Sequence, residues 1–233
     1  MRRLGIVAVG LALVVALPLL AACASDKVVE KIVVVTPTVA PTSTPEPKPA
    51  ITVDDAALYL DVSDVLPGFE RLDPRQEGMT KEQVWGQWVE RTEQFSDFDL
   101  YLSEQPFQYV FMAMAVFPSK MELAAWKASM RKDDEALTQD FISGLTESLA
   151  ASTGLEEAPS TSVVWSDLAV GDSAKRAEVL MSYEGGEPLQ LDFVLLFQEN
   201  SVVFIYNMWY PTEPPTVDIL TVTRAVSARI ANR

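Results

Sequence analysis

The chain has 233 residues, 48% of them hydrophobic, and its 33 acidic residues against 18 basic ones give a net charge of −15 at pH 7. This charge repels nucleic-acid phosphates, so nucleic acid is excluded as a partner. Histidine is absent and cysteine occurs once, which excludes Ser-His-Asp and Cys-His catalysis, zinc held by His or Cys, and an internal disulfide. The sequence therefore predicts no cofactor and no metal.

The N-terminal segment has the three parts of a secretory signal. It begins with the basic run MRR, continues with uncharged residues 4–19, and ends in LAAC at positions 20–23, where Cys23 is the single cysteine. LAAC resembles a bacterial lipobox, which implies cleavage before Cys23, lipid on Cys23, and an extracytoplasmic domain anchored to the bacterial membrane. Two alternatives stay open: an uncleaved anchor helix, since about 20 apolar residues span a bilayer, or an ordinary signal peptide with a chance cysteine.

The chain divides into three parts by composition. Residues 1–22 are assigned to the lipoprotein signal peptide, residues 23–50 to a lipidated tether and Pro/Thr-rich linker, and residues 51–233 to a single globular domain. In the tether, Lys27–Val35 (KVVEKIVVV) is prone to form a strand but is interpreted as part of the tether. Thr36–Ala50 has five prolines and five Thr or Ser in 15 residues. Such a segment favours extended polyproline geometry and reaches roughly 45 Å at about 3.1 Å per residue.

The first half of the domain is predicted to contain helices and three strands. Acidic residues precede a short helix at 56–60, and a brief strand is predicted at 69–72. Thr80–Gln83 has the form of a capping box that opens a second helix, with a strand at 88–91 as the alternative. Strands are predicted at 98–102 and, with clear alternation of side chains, at 107–117. A further capping box at Ser119–Glu122 opens the longest helix, which is predicted to reach about residue 150.

The second half is predicted to be a run of strands followed by a closing helix. Strands are expected at 162–168, 175–184, 188–198 and 201–210, with turns at Gly171-Asp172, Gly185-Gly186 and Glu199-Asn200. The closing helix is predicted at 216–230. Its expected buried stripe has spacings of three, four and four residues and consists of Ile219, Val222, Val226 and Ile230.

These elements predict an α+β fold. Short hairpin connections imply an antiparallel sheet, and we expect about five or six strands with the long helix and the C-terminal helix packed on one face. The turn Val170-Gly171-Asp172, the hairpins after it and the ending Arg229-Ile230 are loosely similar to small α+β domains of bacterial surface lipoproteins and of the outer parts of membrane sensor proteins. That resemblance implies a fold and assigns no chemistry.

Three predicted strands are apolar on both sides, so both faces of the sheet need a cover. In one interpretation the N-terminal helices cover the second face with Leu58, Leu60, Trp85 and Trp88. In the other, the cover is incomplete and leaves a groove for an apolar ligand or a partner protein. The residues predicted to line this groove are Phe111, Met112, Met114, Phe193, Leu195, Phe204, Tyr206 and Trp209.

Acidic residues on the strands are the remaining candidates for chemistry. Asp97 and Asp99 are two residues apart on one strand, while Asp192 interrupts an apolar strand and Glu178 lies on the preceding one. Paired carboxylates carry out glycoside hydrolysis, but we interpret these acids as solvated or edge charges and assign no catalytic residue. Asn207 is the polar exception in its apolar strand.

The predicted function is a membrane-tethered surface lipoprotein that is non-catalytic and binds a small apolar molecule, a peptide or an envelope protein. The alternatives are a carboxylate-dependent hydrolase of envelope glycans and a structural spacer. Two carboxylates about 5–10 Å apart in a cleft would favour the hydrolase, and an open apolar groove would favour binding.

Overall fold

The computed structural model describes residues 49–72, 95–129, 159–182 and 186–233. They form one antiparallel sheet with helices on both of its faces. The strands are β1 (Glu70–Leu72), β2 (Phe95–Glu104), β3 (Phe107–Val116), β4 (Ser160–Leu168), β5 (Ser173–Ser182), β6 (Leu189–Gln198) and β7 (Ser201–Trp209). The α-helices are α1 (Ala56–Leu60), α2 (Lys120–Ser129) and α3 (Ile219–Ala231).

The seven strands lie in the order β1-β2-β3-β7-β6-β5-β4, and every neighbouring pair is antiparallel. Hairpins therefore build each half of the sheet, and β3 joins the two halves by pairing with β7. The predicted α+β class with an antiparallel sheet is confirmed for these residues. The expected count of five or six strands is too low, since the sheet has seven; β1 corresponds to the brief strand predicted at 69–72.

One face of the sheet, which we call the first face, carries most of the aromatic side chains. Phe193 stacks against Tyr206 with ring centroids 4.7 Å apart and against Phe204 at 6.4 Å. From α2, Trp126 packs between Phe117 and Phe197 at centroid distances of 5.5 and 6.1 Å. The first capping-box hydrogen bond of α2 is present as predicted, from the backbone of Glu122 to the Ser119 hydroxyl.

The opposite side of the sheet, the second face, is covered by α3 and by residues 51–66. The predicted stripe of α3 is confirmed, since its four residues are at most 1% exposed and pack with Val110, Met112 and Ile205. The N-terminal segment does contribute a cover, as one interpretation of the sequence expected. It does so with Leu60 at 1% exposure, whereas Leu58 is 71% exposed. Trp85 and Trp88 lie outside the described residues.

The prediction that the long helix and the C-terminal helix share one face is wrong for the described residues. Phe117, which follows β3, points into the first face, and the chain continues there into α2. The segment before α3 is held on the second face instead. Gln108 accepts hydrogen bonds from the backbone of Thr216 and Val217 at 2.8 and 3.2 Å and donates to the Val217 carbonyl at 2.6 Å.

Several predictions concern residues that the structure does not describe. These are the signal peptide at 1–22, nearly all of the tether and linker, the helix after Thr80, the continuation of the long helix beyond Ser129, and the Gly185 turn. Among the described residues, no helix is both long and apolar enough to cross a membrane.

Candidate functional site

The apolar residues predicted to line one groove are placed on two sides of the sheet. Seven of the eight are at most 4% exposed, and Trp209 is half-buried. Met112 and Met114 belong to the second face, as does Trp209 by alternation along β7. The first face holds the other five, Phe111, Phe193, Leu195, Phe204 and Tyr206. Because the sheet separates the two sets, the eight residues do not line a single groove.

Polar residues form a row across the second face on β5, β6 and β7. In the strand register Glu178 lies opposite Asp192, and Asp192 lies opposite Asn207. Residues directly opposite one another on neighbouring strands project from the same face with Cβ atoms about 5 Å apart. The structure thus brings together three residues that stand out in the sequence as polar interruptions.

Arg176 joins two members of this row. Its Nη2 donates to Asp192 Oδ2 at 2.7 Å and its Nη1 to Glu178 Oε1 at 3.0 Å. The Asp192 side chain is only 4% exposed, so its interpretation as a solvated charge is wrong, whereas Glu178 is exposed as expected. Arg176 was missed, although it stands two residues before Glu178 and alternation places both on one face.

The Arg176–Asp192 pair is incompletely hydrogen-bonded. In the described part of the chain, Asp192 Oδ1 and Arg176 Nε are both buried and have no hydrogen-bond partner. Burial raises the pKa of Asp192 to about 6 and outweighs the opposing effect of Arg176, while the negative charges of Glu178 and Asp218 raise this pKa further. A buried carboxylate that titrates just below neutral pH is therefore part of this row.

The raised pKa gives a test of this carboxylate through pH-dependent stability. The folded state binds the proton of Asp192 up to about pH 6 and the unfolded state only to about 3.8. Its contribution therefore lowers the free energy of unfolding as pH rises through this window, by at most about 3 kcal/mol. We expect Asp192→Asn to reduce that decline in urea denaturation between about pH 4.5 and about pH 7.

The matched control for this measurement is Asp167→Asn, at an exposed acid of β4. It should keep the wild-type slope of stability against pH. If Asp192→Asn kept the same slope as the wild type, Asp192 would not be the titrating group.

A second buried carboxylate lies nearer the other edge of the sheet. Asp99, 4% exposed, receives hydrogen bonds from Arg71 Nε at 2.9 Å and Nη2 at 2.6 Å, and the remaining Arg71 nitrogen bonds Asp61 at 3.0 Å. The Tyr101 hydroxyl accepts from the Val62 backbone at 3.1 Å and lies 3.3 Å from both acids. Burial raises the pKa of Asp99 despite the arginine.

These contacts decide against a pair of catalytic carboxylates among the described acids. Hydrolysis of a glycoside needs two carboxyl groups on either side of a cleft that admits the sugar and a water. Here a guanidinium binds both acids of each group, and Asp97, half-exposed beside the buried Asp99, accepts from the backbone of Phe98. No group of three metal-binding side chains is found among the described residues.

None of the described helices covers the second face over β4 and β5. Of the large hydrophobic side chains that are exposed, Val164 at 64% and Leu180 at 39% lie here on adjacent strands, one step apart diagonally in the register. They border the ion pair of Arg176 and Glu178. We call this surface the β4–β5 face. It is made of Ser162, Val164, Arg176, Glu178 and Leu180.

Comparison with known proteins adds little to this picture. No protein-family model and no curated protein matches the chain. Among solved structures, it is similar to the extracellular domain of PknH from Mycobacterium tuberculosis, with 10% sequence identity, a TM-score of 0.45, and coverage of 80% of this chain and 100% of that one. No functional statement rests on this similarity.

Proposed function

We propose that the protein is a non-catalytic lipoprotein, tethered to the membrane through Cys23, whose α+β domain binds a peptide or protein partner in the cell envelope. The N-terminal sequence carries this proposal: MRR, sixteen uncharged residues and LAAC follow in the order of a lipoprotein signal. The proline-rich linker at 36–50 then sets the domain at a distance from the membrane.

The burial of the predicted groove residues supports a macromolecular partner over a small apolar ligand. On the central strands, nearly all side chains of both faces are buried, as for Phe111 and Met112 at 0% exposure. Among the described strand residues, the large apolar side chains that are exposed are Val164 and Leu180, which lie beside the charges of Arg176 and Glu178. An exposed strand surface of mixed polarity suits contact with a protein, because small ligands bind in concave sites.

The hydrolase alternative lacks support from the described residues, since both buried acids on the second face are bound by arginine. Each arginine would have to leave before a carboxylate could protonate a leaving group or activate water. We therefore favour binding over catalysis for this domain.

Replacing Cys23 with Ala tests the tether. The wild-type chain is expected in the membrane fraction with incorporated labelled fatty acid, because the thiol is the site of lipid attachment. Cys23→Ala should incorporate none and should either enter the soluble fraction or keep its signal peptide, which is seen as a larger mass.

The control for this experiment is Ser25→Ala, two positions beyond the cysteine, which should behave as the wild type. A Cys23→Ala product that is cleaved to the wild-type size and still held by the membrane would overturn the lipid anchor.

A further inference from the structure

The two edges of the sheet differ in length and in charge. At one edge β1 has three residues, and two of them, Glu70 and Arg71, are charged. At the other edge β4 has nine residues, STSVVWSDL, with one charged residue and no proline. Among the described residues β4 pairs with a neighbour on one side only, β5.

A long edge strand without protection is unusual, because its unpaired backbone groups can pair with a strand of another chain. Proteins protect their edges with short strands, charged residues, proline or a covering segment. β1 has the first two of these features, while β4 has neither. No described helix covers the second face beside β4, where Val164 is 64% exposed.

We propose that β4 pairs with β4 of a second copy of this chain, antiparallel about a two-fold axis at Val164. The two seven-stranded sheets then form one continuous sheet. Antiparallel pairing of one strand with itself is the isologous contact that two-fold symmetric dimers use. The axis is placed at Val164 because this residue is the midpoint of β4, so that register pairs the whole strand.

In this register β4 is complementary to itself on both faces. Val164 lies opposite its own copy on the second face, and Trp165 lies opposite the second copy's Val163 on the first. Ser166 lies opposite the second copy's Ser162. Pairs of aromatic and β-branched side chains and pairs of hydroxyl side chains both stabilise antiparallel strands.

The charges on β4 also permit the pairing. Asp167 is the single charged residue of the strand and lies opposite the second copy's Thr161, so no like charges meet. Within its own copy Asp167 stands opposite Lys175 of β5 in the register, which balances its charge. The repulsion between two copies thus comes from the net charge of −15 over the rest of the chain. Salt screens such repulsion, so pairing should strengthen as ionic strength rises.

The size of the contact predicts a weak dimer. Nine paired residues extend about 30 Å at about 3.3 Å per residue. A single strand pair buries roughly 1,000 Å² in total, near the lower limit of specific interfaces. If the chain is tethered as proposed above, confinement to the membrane raises its effective concentration. That contribution rests on the proposed function, whereas the strand pairing itself does not.

Cysteine cross-linking of the full chain in detergent tests the register. Residues directly opposite in an antiparallel pair have Cα atoms about 4.5–5.5 Å apart, within the range of a disulfide. Mild oxidation should therefore convert most of Val164→Cys to a covalent dimer. Ser160→Cys alone should stay monomeric, since its two copies lie about 26 Å apart along the strand.

The mixed experiment identifies the orientation. Ser160→Cys mixed with Leu168→Cys should cross-link, because each residue lies opposite the other across the two-fold axis. The wild type, which contains only Cys23, gives the background. Equal cross-linking of Val164→Cys and Ser160→Cys would overturn the proposed pairing.

Sedimentation of the unmodified chain gives an independent measurement. The wild type should show a reversible monomer–dimer equilibrium that salt shifts toward the dimer. Val164→Lys should weaken dimerisation at least about tenfold, because it places two charges on the axis. Leu58→Lys, at a residue 71% exposed on α1, should leave it unchanged. A wild type that stays monomeric at every concentration and salt level would refute the pairing, while the lipid anchor, tested at Cys23, would be unaffected.

Discussion

Replacing Arg71 with Leu is expected to lower the free energy of unfolding by about 2–4 kcal/mol at pH 7. The substitution removes the only side chain that the structure shows donating to both oxygens of Asp99, whose own side chain is 6% exposed. A buried carboxylate left without its cation costs more than the ion pair contributed, because the charge loses water without compensation. Arg71 is itself 45% exposed, which places the effect at the lower part of the range for buried pairs.

The pH dependence of this loss distinguishes an electrostatic cause from lost packing. Burial already raises the pKa of Asp99, with Arg71 opposing that rise. Without Arg71 the pKa of Asp99 in the folded state rises further above its value in the unfolded chain. As pH falls, the folded state binds the proton first and is thereby stabilised relative to the unfolded state. The deficit in Arg71→Leu should therefore shrink as pH is lowered. Urea denaturation at several pH values measures it.

Two further variants complete the comparison. Arg224→Leu removes an exposed arginine on α3 and should change stability by less than about 0.5 kcal/mol. Arg71→Leu combined with Asp99→Leu should recover most of the loss, since no buried unpaired charge remains and Asp61, which also loses the arginine, is 43% exposed. A deficit in Arg71→Leu that does not vary with pH would show that packing of the arginine stem, and not its charge, is responsible.

Local sequence patterns were enough to find most of the described elements. The alternation at 107–117 predicted β3 with its start correct and its end one residue too late, and the spacing from Ile219 to Ile230 predicted the buried side of α3. The turn at Gly171 was also recognised. Its φ of +63° lies in the left-handed region that favours glycine, and an added Cβ would lie only 3.0 Å from the backbone oxygen of Phe197. Each of these features is determined by residues close together in the chain.

The placement of the helices depends on distant contacts, and here the sequence was insufficient. The segment before α3 is fixed on the second face by Gln108, 108 residues before Thr216. The buried acids could not be predicted for the same reason, since Asp99 accepts a hydrogen bond from Arg71, which lies on another strand 28 residues away. A glutamine or an aspartate on a strand reveals no partner of this kind, so α2 and α3 were expected on one face and the acids at the surface.

The predicted groove could have been corrected from the sequence alone. Phe111 and Met112 are consecutive residues of one strand, and consecutive side chains point to opposite faces. A list that contains both cannot describe one surface. The β4–β5 face, by contrast, could not be predicted from the sequence. It follows from the position of α3, which packs against β6 and β7 rather than β4, and that position is a property of the assembled sheet.

Asn200 holds the chain at Ile51, where the described domain begins, and its replacement with Ala is expected to cost about 3 kcal/mol. This residue of the β6–β7 turn is 2% exposed. Its Oδ1 accepts from the Ile51 backbone at 2.9 Å, and its Nδ2 donates to the carbonyls of Ile51 and Phe117 at 3.0 and 2.7 Å. Alanine leaves these three buried backbone groups without the amide, and each such group costs about 1–3 kcal/mol, although not additively.

The loss should appear in urea denaturation together with faster proteolysis near residue 51. Asn232→Ala, at an exposed asparagine that ends α3, should show neither effect. Asn200→Asp provides a charge test, because a carboxylate in this position faces two carbonyl oxygens and is neutralised as pH falls, so its destabilisation should grow with rising pH. If Asn200→Ala loses less than about 1 kcal/mol, the N-terminal segment is held mainly by Leu60 and its apolar neighbours on the second face. The chain at Ile51 would then be held in place by packed side chains and not by its hydrogen bonds to the β6–β7 turn.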